Sequence, residues 1–369
     1  MNSTSTARIV QIDTFIASYP VTGQFKFFPA GKGGAPQRDT VLVKITDEAG
    51  NHGWGQSIPS PTWSYETIET VRTTIDVHLA PALLGMNAFA TEEIWRVMNR
   101  VIAPAFSTGQ PIAKAGLDLA LFDLTGRILQ QAAHTRWNRP SPRPVTLSCT
   151  IDPRRLDDVG SSMAKAKARG FRNFNVKVGR DAPFDIEVCR EIRRHAPDAF
   201  VWVDANGGYT LAAALKAAPQ FAALGIAAFE QPLPANQLTG YQRLVSQGAL
   251  PILMDEGVVS VGDLQTFHQL GMLQGVAMKV SRCGGLTEAR RMIEYIREHG
   301  LHFFASGLTD PDVAFAACLL LFSAYELPHP AALNAPQFLE GTFLRTPLVI
   351  DGDQATPPAG PGLGVQIDA

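Results

Sequence analysis

Cysteine is scarce in this chain of 369 residues: there are four, Cys149, Cys189, Cys283 and Cys318, scattered with no Cys-x-x-Cys pair. That spacing excludes a zinc knuckle or a disulfide framework and leaves them as small buried hydrophobes. There is also no apolar run approaching the roughly 18 residues of a membrane span, and the first thirty residues hold no apolar core behind a basic start. The expectation is a cytoplasmic protein without a membrane partner. An excess of one charge is missing as well: 32 Lys and Arg against 34 Asp and Glu give a net charge of −2. A nucleic-acid binder read through a basic stripe is disfavoured. What the chain does have is apolar material, 46% of its residues, enough for one barrel-sized domain with an addition.

The apolar pattern changes once along the chain. Ile9 to Phe15 and Val41 to Thr46 alternate, and Glu48-Ala-Gly-Asn leads into His52-Gly-Trp-Gly, which predicts a β-meander. Helical spacing follows over Ser64 to Leu84, Thr91 to Ile102 and Pro111 to Leu129, with Ser64 and Thr91 placed as N-caps. Residues 1–135 therefore read as an α+β domain, closed off by the proline-rich Arg139-Pro-Ser-Pro-Arg-Pro144. Over 140–339 short apolar runs alternate with helical stretches: Val145 to Cys149, Phe174 to Val178, Ala199 to Val203, Ile226 to Phe229, Pro251 to Met254, Val276 to Met278 and His302 to Ala305. Buried parallel strands separated by helices, seven or eight units in all, predict an α/β protein with a closed (β/α) barrel.

The ends of those runs carry the chemistry. Lys177, Asp204, Glu230, Asp255 and Lys279 terminate successive strands at intervals of 24 to 27 residues, about one βα unit each. In a barrel this places all five at the C-terminal rim, where such folds hold their active sites, and stability alone gives no reason to gather charges there. Three facing carboxylates repel unless a cation neutralises them. An oxygen-only set suits a hard divalent ion, Mg²⁺ over Zn²⁺, with Glu256 an alternative ligand to its neighbour Asp255. Lys177 and Lys279 flank the set in strand order as acid and base. Together these groups fit removal of a proton α to a carboxylate, with the metal at the oxygens of the enediolate.

These residues resemble the enolase superfamily, in particular the muconate lactonizing enzyme subgroup of its mandelate racemase branch. The resemblance rests on Ala113-Lys-Ala-Gly-Leu-Asp-Leu-Ala-Leu-Phe-Asp-Leu124, Asn175-Val-Lys177-Val-Gly179, Val203-Asp204-Ala-Asn206, Phe229-Glu230-Gln-Pro232, Met254-Asp255-Glu256, Lys279 with Gly284-Gly285, and the terminal Pro361-Gly-Leu-Gly-Val365. It implies a modified (β/α)7β TIM-type barrel under an α+β capping domain to which residues 340–369 return. It also implies one Mg²⁺ held by Asp204, Glu230 and Asp255, with Lys177 and Lys279 as acid and base. His302 begins its strand at the end away from the mouth, so a structural place at the barrel bottom is expected for it.

Two positions depart from the family pattern. Asn175 stands where the first lysine of Lys-x-Lys is usual, and Leu333-Asn-Ala335 stands where dipeptide epimerases carry Asp-x-Asp. A substrate with a free α-ammonium is accordingly disfavoured. Asn175, Asn206, Trp54, Ser57, Ser148, Thr150 and Ser306 are candidate substrate contacts. Phe27 joins them from the segment Gly23 to Gln37, whose Phe25, Lys26, Phe28 and Lys32 suit a closing lid over an anionic, partly apolar substrate. The expected activity is racemisation or epimerisation of a small anionic carboxylate, an N-substituted amino acid or related acid. Dehydration or muconate-type cycloisomerisation uses the same groups, and a barrel that binds metal without catalysis is the remaining alternative. A homo-oligomer is expected, as for most soluble enzymes.

Overall fold

The computed structural model describes residues 6–22, 36–104 and 109–368. Strands β1 (Ile9–Pro20), β2 (Gln37–Asp47) and β3 (His52–Ser57) form the antiparallel meander that the alternation predicts, in the order β1-β2-β3. The helix Pro111–Leu129 lies directly on β3 because β3 offers glycine there. A Cβ on Gly55 would stand 1.9 Å from the Gly116 carbonyl oxygen of that helix.

The segment before it differs in detail from the sequence reading. Ser64 ends a short helix, Pro61–Ser64, and Tyr65 then takes a left-handed φ of 49° that breaks the chain direction. The next helix, Ile68–Thr73, is capped by Thr67, whose side chain accepts from the Thr70 N–H in a reciprocal capping box. It continues through a π-helical stretch, Thr74–Leu79, into Ala80–Leu83. Thr91 is the first residue of Thr91–Val101 and not its cap.

Beyond the proline-rich linker, the expected strand Val145 to Cys149 divides in two. Its first part is β4 (Val145–Thr146), and its end opens β5 (Cys149–Ile151), the first strand of a parallel seven-stranded sheet. The sheet continues through β6 (Phe174–Lys177), β7 (Val201–Asp204), β8 (Phe229–Glu230), β9 (Ile252–Met254), β10 (Gly275–Met278) and β11 (His302–Ala305), in chain order. Parallel bridges from Ala331 to Leu147 and from Ala332 to Ser306 join its two edges. The result is a (β/α)7β barrel. β4 stays outside the barrel, where it pairs with β13 (Gln354–Ala355), itself paired with β12 (Ile350–Asp351).

Strand parity sorts the core into two parts. Trp202, Ala228, Leu253, Ala277, Phe304 and Ala332 fill the barrel interior. Val176, Val203, Phe229, Met254 and Met278 face the surrounding helices. Phe200 and Phe304 pack against His329, ring centroids 4.8 and 4.7 Å apart, while His302 is exposed at the start of β11, away from the mouth. The four cysteines are buried free thiols. None of the described helices is long and apolar enough to cross a membrane.

Two buried aspartates on the helix Pro111–Leu129 tie the N-terminal domain to the rest. Asp118 accepts from Trp95 Nε1 at 2.8 Å and from the Thr287 N–H at 3.0 Å, in the first turn of the helix Leu286–Glu298. Asp123 accepts from the Trp54 N–H and the Leu363 N–H, each at 2.9 Å, and from Arg127 Nε at 2.8 Å. The first contact depends on Gly285, whose φ is +106° and whose hypothetical Cβ would stand 2.5 Å from Asp118 Oδ2.

Gly285→Ala is therefore expected to lower the unfolding free energy in urea by about 2–4 kcal/mol. Gly300→Ala, at a φ of +63° with open space around it, pays only the backbone term of about 1 kcal/mol. Equal losses in the two variants would contradict the role given to the Asp118 contact.

Candidate active site

The register of β6, β7 and β8 aligns Lys177 with Asp204 and Asp204 with Glu230. Aligned residues of parallel strands share a face, so these three point into the mouth, above Asn175 and Trp202, which are themselves paired one step lower. Asp255 follows β9 directly and Lys279 follows β10 directly. All five are buried, the most exposed being Lys177 at 6%. The chain turns through left-handed conformations at Asn206 (φ 44°) and Gln231 (φ 37°), just past Asp204 and Glu230. Strain of this kind clusters where side chains must be aimed.

The two lysines lie against opposite ends of the carboxylate row. Lys177 Nζ is 2.5 Å from Asp204 Oδ2, and Lys279 Nζ is 2.5 Å from Asp255 Oδ1 and 3.8 Å from Glu230 Oε1. Further donors fix the carboxylates. The Asn206 N–H donates to Asp204 Oδ1 at 2.9 Å, Trp202 Nε1 to Glu230 Oε2 at 2.8 Å, and Arg282 Nη1 to Asp255 Oδ1 at 2.5 Å. Gln231 Oε1 in turn accepts from the Asp255 N–H at 2.8 Å. Lys177 Nζ also donates to Asn206 Oδ1 at 3.3 Å.

One ligand atom each from Asp204, Glu230 and Asp255 lies within 4.8 Å of the others. Glu230 Oε1 and Asp255 Oδ2 are buried with no hydrogen-bond partner among the described residues. Two partnerless hard oxygens, in a converging group of three carboxylates, fit a divalent cation of the Mg²⁺ type. Glu256 is outside this group. It lines a cavity of about 70 Å³ together with Trp63, Glu66 and Arg282.

Protonation follows the same geometry. Burial, then the charge of Asp204, pushes the Glu230 carboxyl up to about 8. Burial also acts to raise Asp255, but Arg282 and Lys279 outweigh it and hold that carboxyl below its usual range. Glu256 is pushed well above the carboxylate range by burial and by Asp255. For Lys177, burial works to lower the ammonium, and Asp204 and Glu230 overcome it, so the group stands above its ordinary value.

Two residues of this site escaped the sequence reading. Trp63, on the N-terminal domain, lies across the mouth with its ring centroid 4.8 Å from Lys279 Nζ, 5.5 Å from Lys177 Nζ and 4.8 Å from Arg282 Cζ. Its only sequence signal is an aromatic residue shortly after β3. Arg282 is signalled only as a cation three residues beyond Lys279.

The remaining candidates divide. Thr150 and Asn175 stand side by side at inward positions, the Thr150 hydroxyl donating to Asn175 Oδ1 at 2.8 Å. Ser306 follows β11 where that strand bridges Ala332 at the closing seam. The Ser148 hydroxyl donates to the Ala331 carbonyl at 3.3 Å, so its polar group is spent on closing the barrel. Trp54 is away from the mouth: it packs on Phe15 at 5.8 Å, beneath Lys44, in a hollow shared with His52, Arg127 and Arg345. Ser57 faces Gly116 inside the N-terminal domain. Phe27 and most of the segment Gly23 to Gln37 lie outside the described residues.

A (β/α)7β barrel whose strand ends bring three acids and two lysines together defines a class of metal-assisted enzymes, and the comparisons name the family. Residues 158–369 match the family described as "Enolase C-terminal domain-like", and residues 28–135 match "Mandelate racemase / muconate lactonizing enzyme, N-terminal domain". The chain belongs to the mandelate racemase/muconate lactonizing enzyme family of the enolase superfamily, and it is an enzyme of the isomerase or lyase type. It is 29% identical over 337 residues to a chloromuconate cycloisomerase of Cupriavidus necator, covering 89% of each chain. It is 30% identical over 339 residues to an N-succinylamino acid racemase of Amycolatopsis sp, covering 89% of this chain and 87% of that one. A solved structure from Enterococcus faecalis V583, described as an unknown member of the enolase superfamily, superposes with a TM-score of 0.87 at 26% identity, covering 98% and 96%.

Mg²⁺ at about a hundred times its Kd is expected to raise the unfolding free energy by about 2.7 kcal/mol. Asp204→Asn, Glu230→Gln and Asp255→Asn should each remove most of that gain, and an undiminished shift in all three would place the ion elsewhere. Because the Glu230 carboxyl holds its proton up to about pH 8, Mg²⁺ binding must release it below that pH. Affinity should therefore rise with pH and level off above 8. Calorimetry in buffers of different ionisation enthalpy should detect the proton at pH 7 and not at pH 9.

Proposed function

We propose that this enzyme racemises or epimerises the α-carbon of a small carboxylic acid, an N-substituted amino acid or a close relative, with Mg²⁺ as its ion. The observation that carries this reading is the pair of lysines set against opposite ends of one carboxylate row. A single base is enough for an elimination, whereas inversion at carbon needs a proton taken from one face and returned to the other. The 30% identity to an N-succinylamino acid racemase points the same way.

Mg²⁺ held by Asp204, Glu230 and Asp255 supplies positive charge where the substrate carboxylate accumulates negative charge. The chain's own groups do the rest. The two acids that raise the Lys177 ammonium, Asp204 and Glu230, would lose that hold with a cation on them, and Lys177 would then act as the free amine and take the α-proton in one direction. The C–H electron pair moves toward the carboxylate to give the enediolate, and the Lys279 ammonium then donates to the α-carbon from the opposite side. The reverse direction exchanges the two roles. Trp63 closes the mouth over both ammonium groups and keeps water from them, which strengthens every charge interaction beneath it. Asn206 bonds to both Lys177 and Asp204 and so holds the base in place relative to the acids.

The four free, buried cysteines are consistent with a reducing compartment and a cytoplasmic setting. Self-association into a symmetric homo-oligomer belongs to the same reading and is measured by light scattering.

The test is α-hydrogen exchange for deuterium, followed by NMR across N-acylated amino acids, hydroxy acids and muconates. Lys177→Ala should lose exchange from one enantiomer and Lys279→Ala from the other, each lowering racemisation by about 10²–10⁴-fold. Unchanged exchange in both variants would overturn the assignment. Turnover of a muconate without exchange on any amino-acid derivative would move the activity to cycloisomerisation.

A further inference from the structure

The mouth of the barrel is chemically divided. Along β6 to β10 stand the carboxylates, both lysines and Arg282. Where the barrel closes, between β5 and the segment Ala331–Ala332, the polar side chains Thr150, Asn175, Asn334 and Gln337 are all neutral. Ala332 lies inside the barrel, and Asn334, two residues further on, reaches the Thr150 hydroxyl.

These side chains form a directional relay. A hydroxyl has one proton, and Thr150 gives its own to Asn175 Oδ1 at 2.8 Å. Its oxygen must then accept, and it does so from Asn334 Nδ2 at 3.4 Å. That fixes the Asn334 amide with its oxygen turned away from Thr150. Asn334 is 6% exposed, and its Oδ1 is buried with no hydrogen-bond partner among the described residues. Gln337 grips the Thr150 backbone at both ends, accepting its N–H at 2.9 Å and donating to its carbonyl at 2.7 Å, so the relay sits on a rigid base. A buried carbonyl left without a donor is costly and calls for one.

We infer that Asn334 Oδ1 accepts the N–H of an acylated α-nitrogen on the substrate, with Thr150 a positioning residue that orients it. The inference deepens the racemase reading above and rests on it. An ammonium would meet only neutral groups along this relay and stay unpaired there, because Asp310, the buried acid beside Leu333, is already bonded to Ser281 Oγ and the Leu308 N–H. A second carboxylate would bring acceptor against acceptor. A secondary amide supplies one neutral donor beside the α-carbon, which is what the orphaned oxygen lacks.

The test compares paired substrates that share side chain and acyl group, one an N-acyl amino acid and the other its O-acyl hydroxy acid, in which an ester oxygen replaces the N–H. α-Deuterium exchange in D₂O gives kcat/KM for each. The wild-type protein should prefer the amide by about 10-fold or more. Asn334→Leu should compress that preference to within about threefold, and Asn334→Ala, which cannot overfill the site, should do the same. Thr150→Val should lower the preference and Thr150→Ser should restore it. Unchanged melting and Mg²⁺ affinity confirm that the variants are folded and loaded. A preference that survives both Asn334 variants, or a wild type that does not distinguish amide from ester, overturns the inference while leaving the racemase reading intact. Absence of exchange on both series overturns the racemase reading itself, and the inference falls with it.

Discussion

Three carboxylates held in one dry barrel mouth repel one another, and much of the surrounding structure answers that repulsion. Asp204 and Asp255 each receive a lysine ammonium, and Asp255 also receives Arg282. Glu230, between them, has an indole N–H and a distant ammonium, and its carboxyl is pushed up to about 8 by burial and the charge of Asp204. A buried charge is tolerated when paired and hydrogen-bonded. Here pairing is most complete at the two ends of the row and weakest at its centre. The groups that make the acids tolerable at the ends are also the groups that move protons, so stability and chemistry draw on the same contacts.

The scaffold's part is to hold those contacts at fixed height. Parallel register places Lys177, Asp204 and Glu230 in one row. The interior beneath them, Trp202 and Phe304 among it, is packed solid down to the His329 plug. From above, the N-terminal domain contributes Trp63, and the same domain meets the barrel through Asp118, packed on Gly285 and bonded to the Thr287 N–H. Gly285 and Thr287 follow Lys279 closely, so the base and this seat of the N-terminal domain belong to one short stretch of chain.

The barrel and the five charged residues of its rim were legible in the sequence because both are periodic. Each βα unit repeats in about 25 residues, five successive apolar runs end in a charge, and strand parity follows from the count. What escaped the reading depends on contacts between distant segments. Trp63 and Arg282 meet only when the N-terminal domain is seated, and the Thr150, Asn175 and Asn334 relay forms only when the barrel closes on itself. The misplaced cap at Ser64 has a local cause, since the left-handed turn at Tyr65 and the π-helical stretch after it leave no mark in apolar spacing. Trp54 shows the limit of composition as a guide. It is an aromatic residue in the right domain, but it lies near Phe15 and Lys44, away from the lysines.

The bond from the Leu363 N–H to Asp123 spans 240 residues of sequence. During synthesis Asp123 leaves the ribosome with the N-terminal domain, yet this partner arrives only after the whole barrel has been made. Until then a buried carboxylate in the centre of that domain has one of its three donors missing. The domain translated first is thus completed last, and the enzyme has no stage at which a finished N-terminal domain waits over an unfinished barrel.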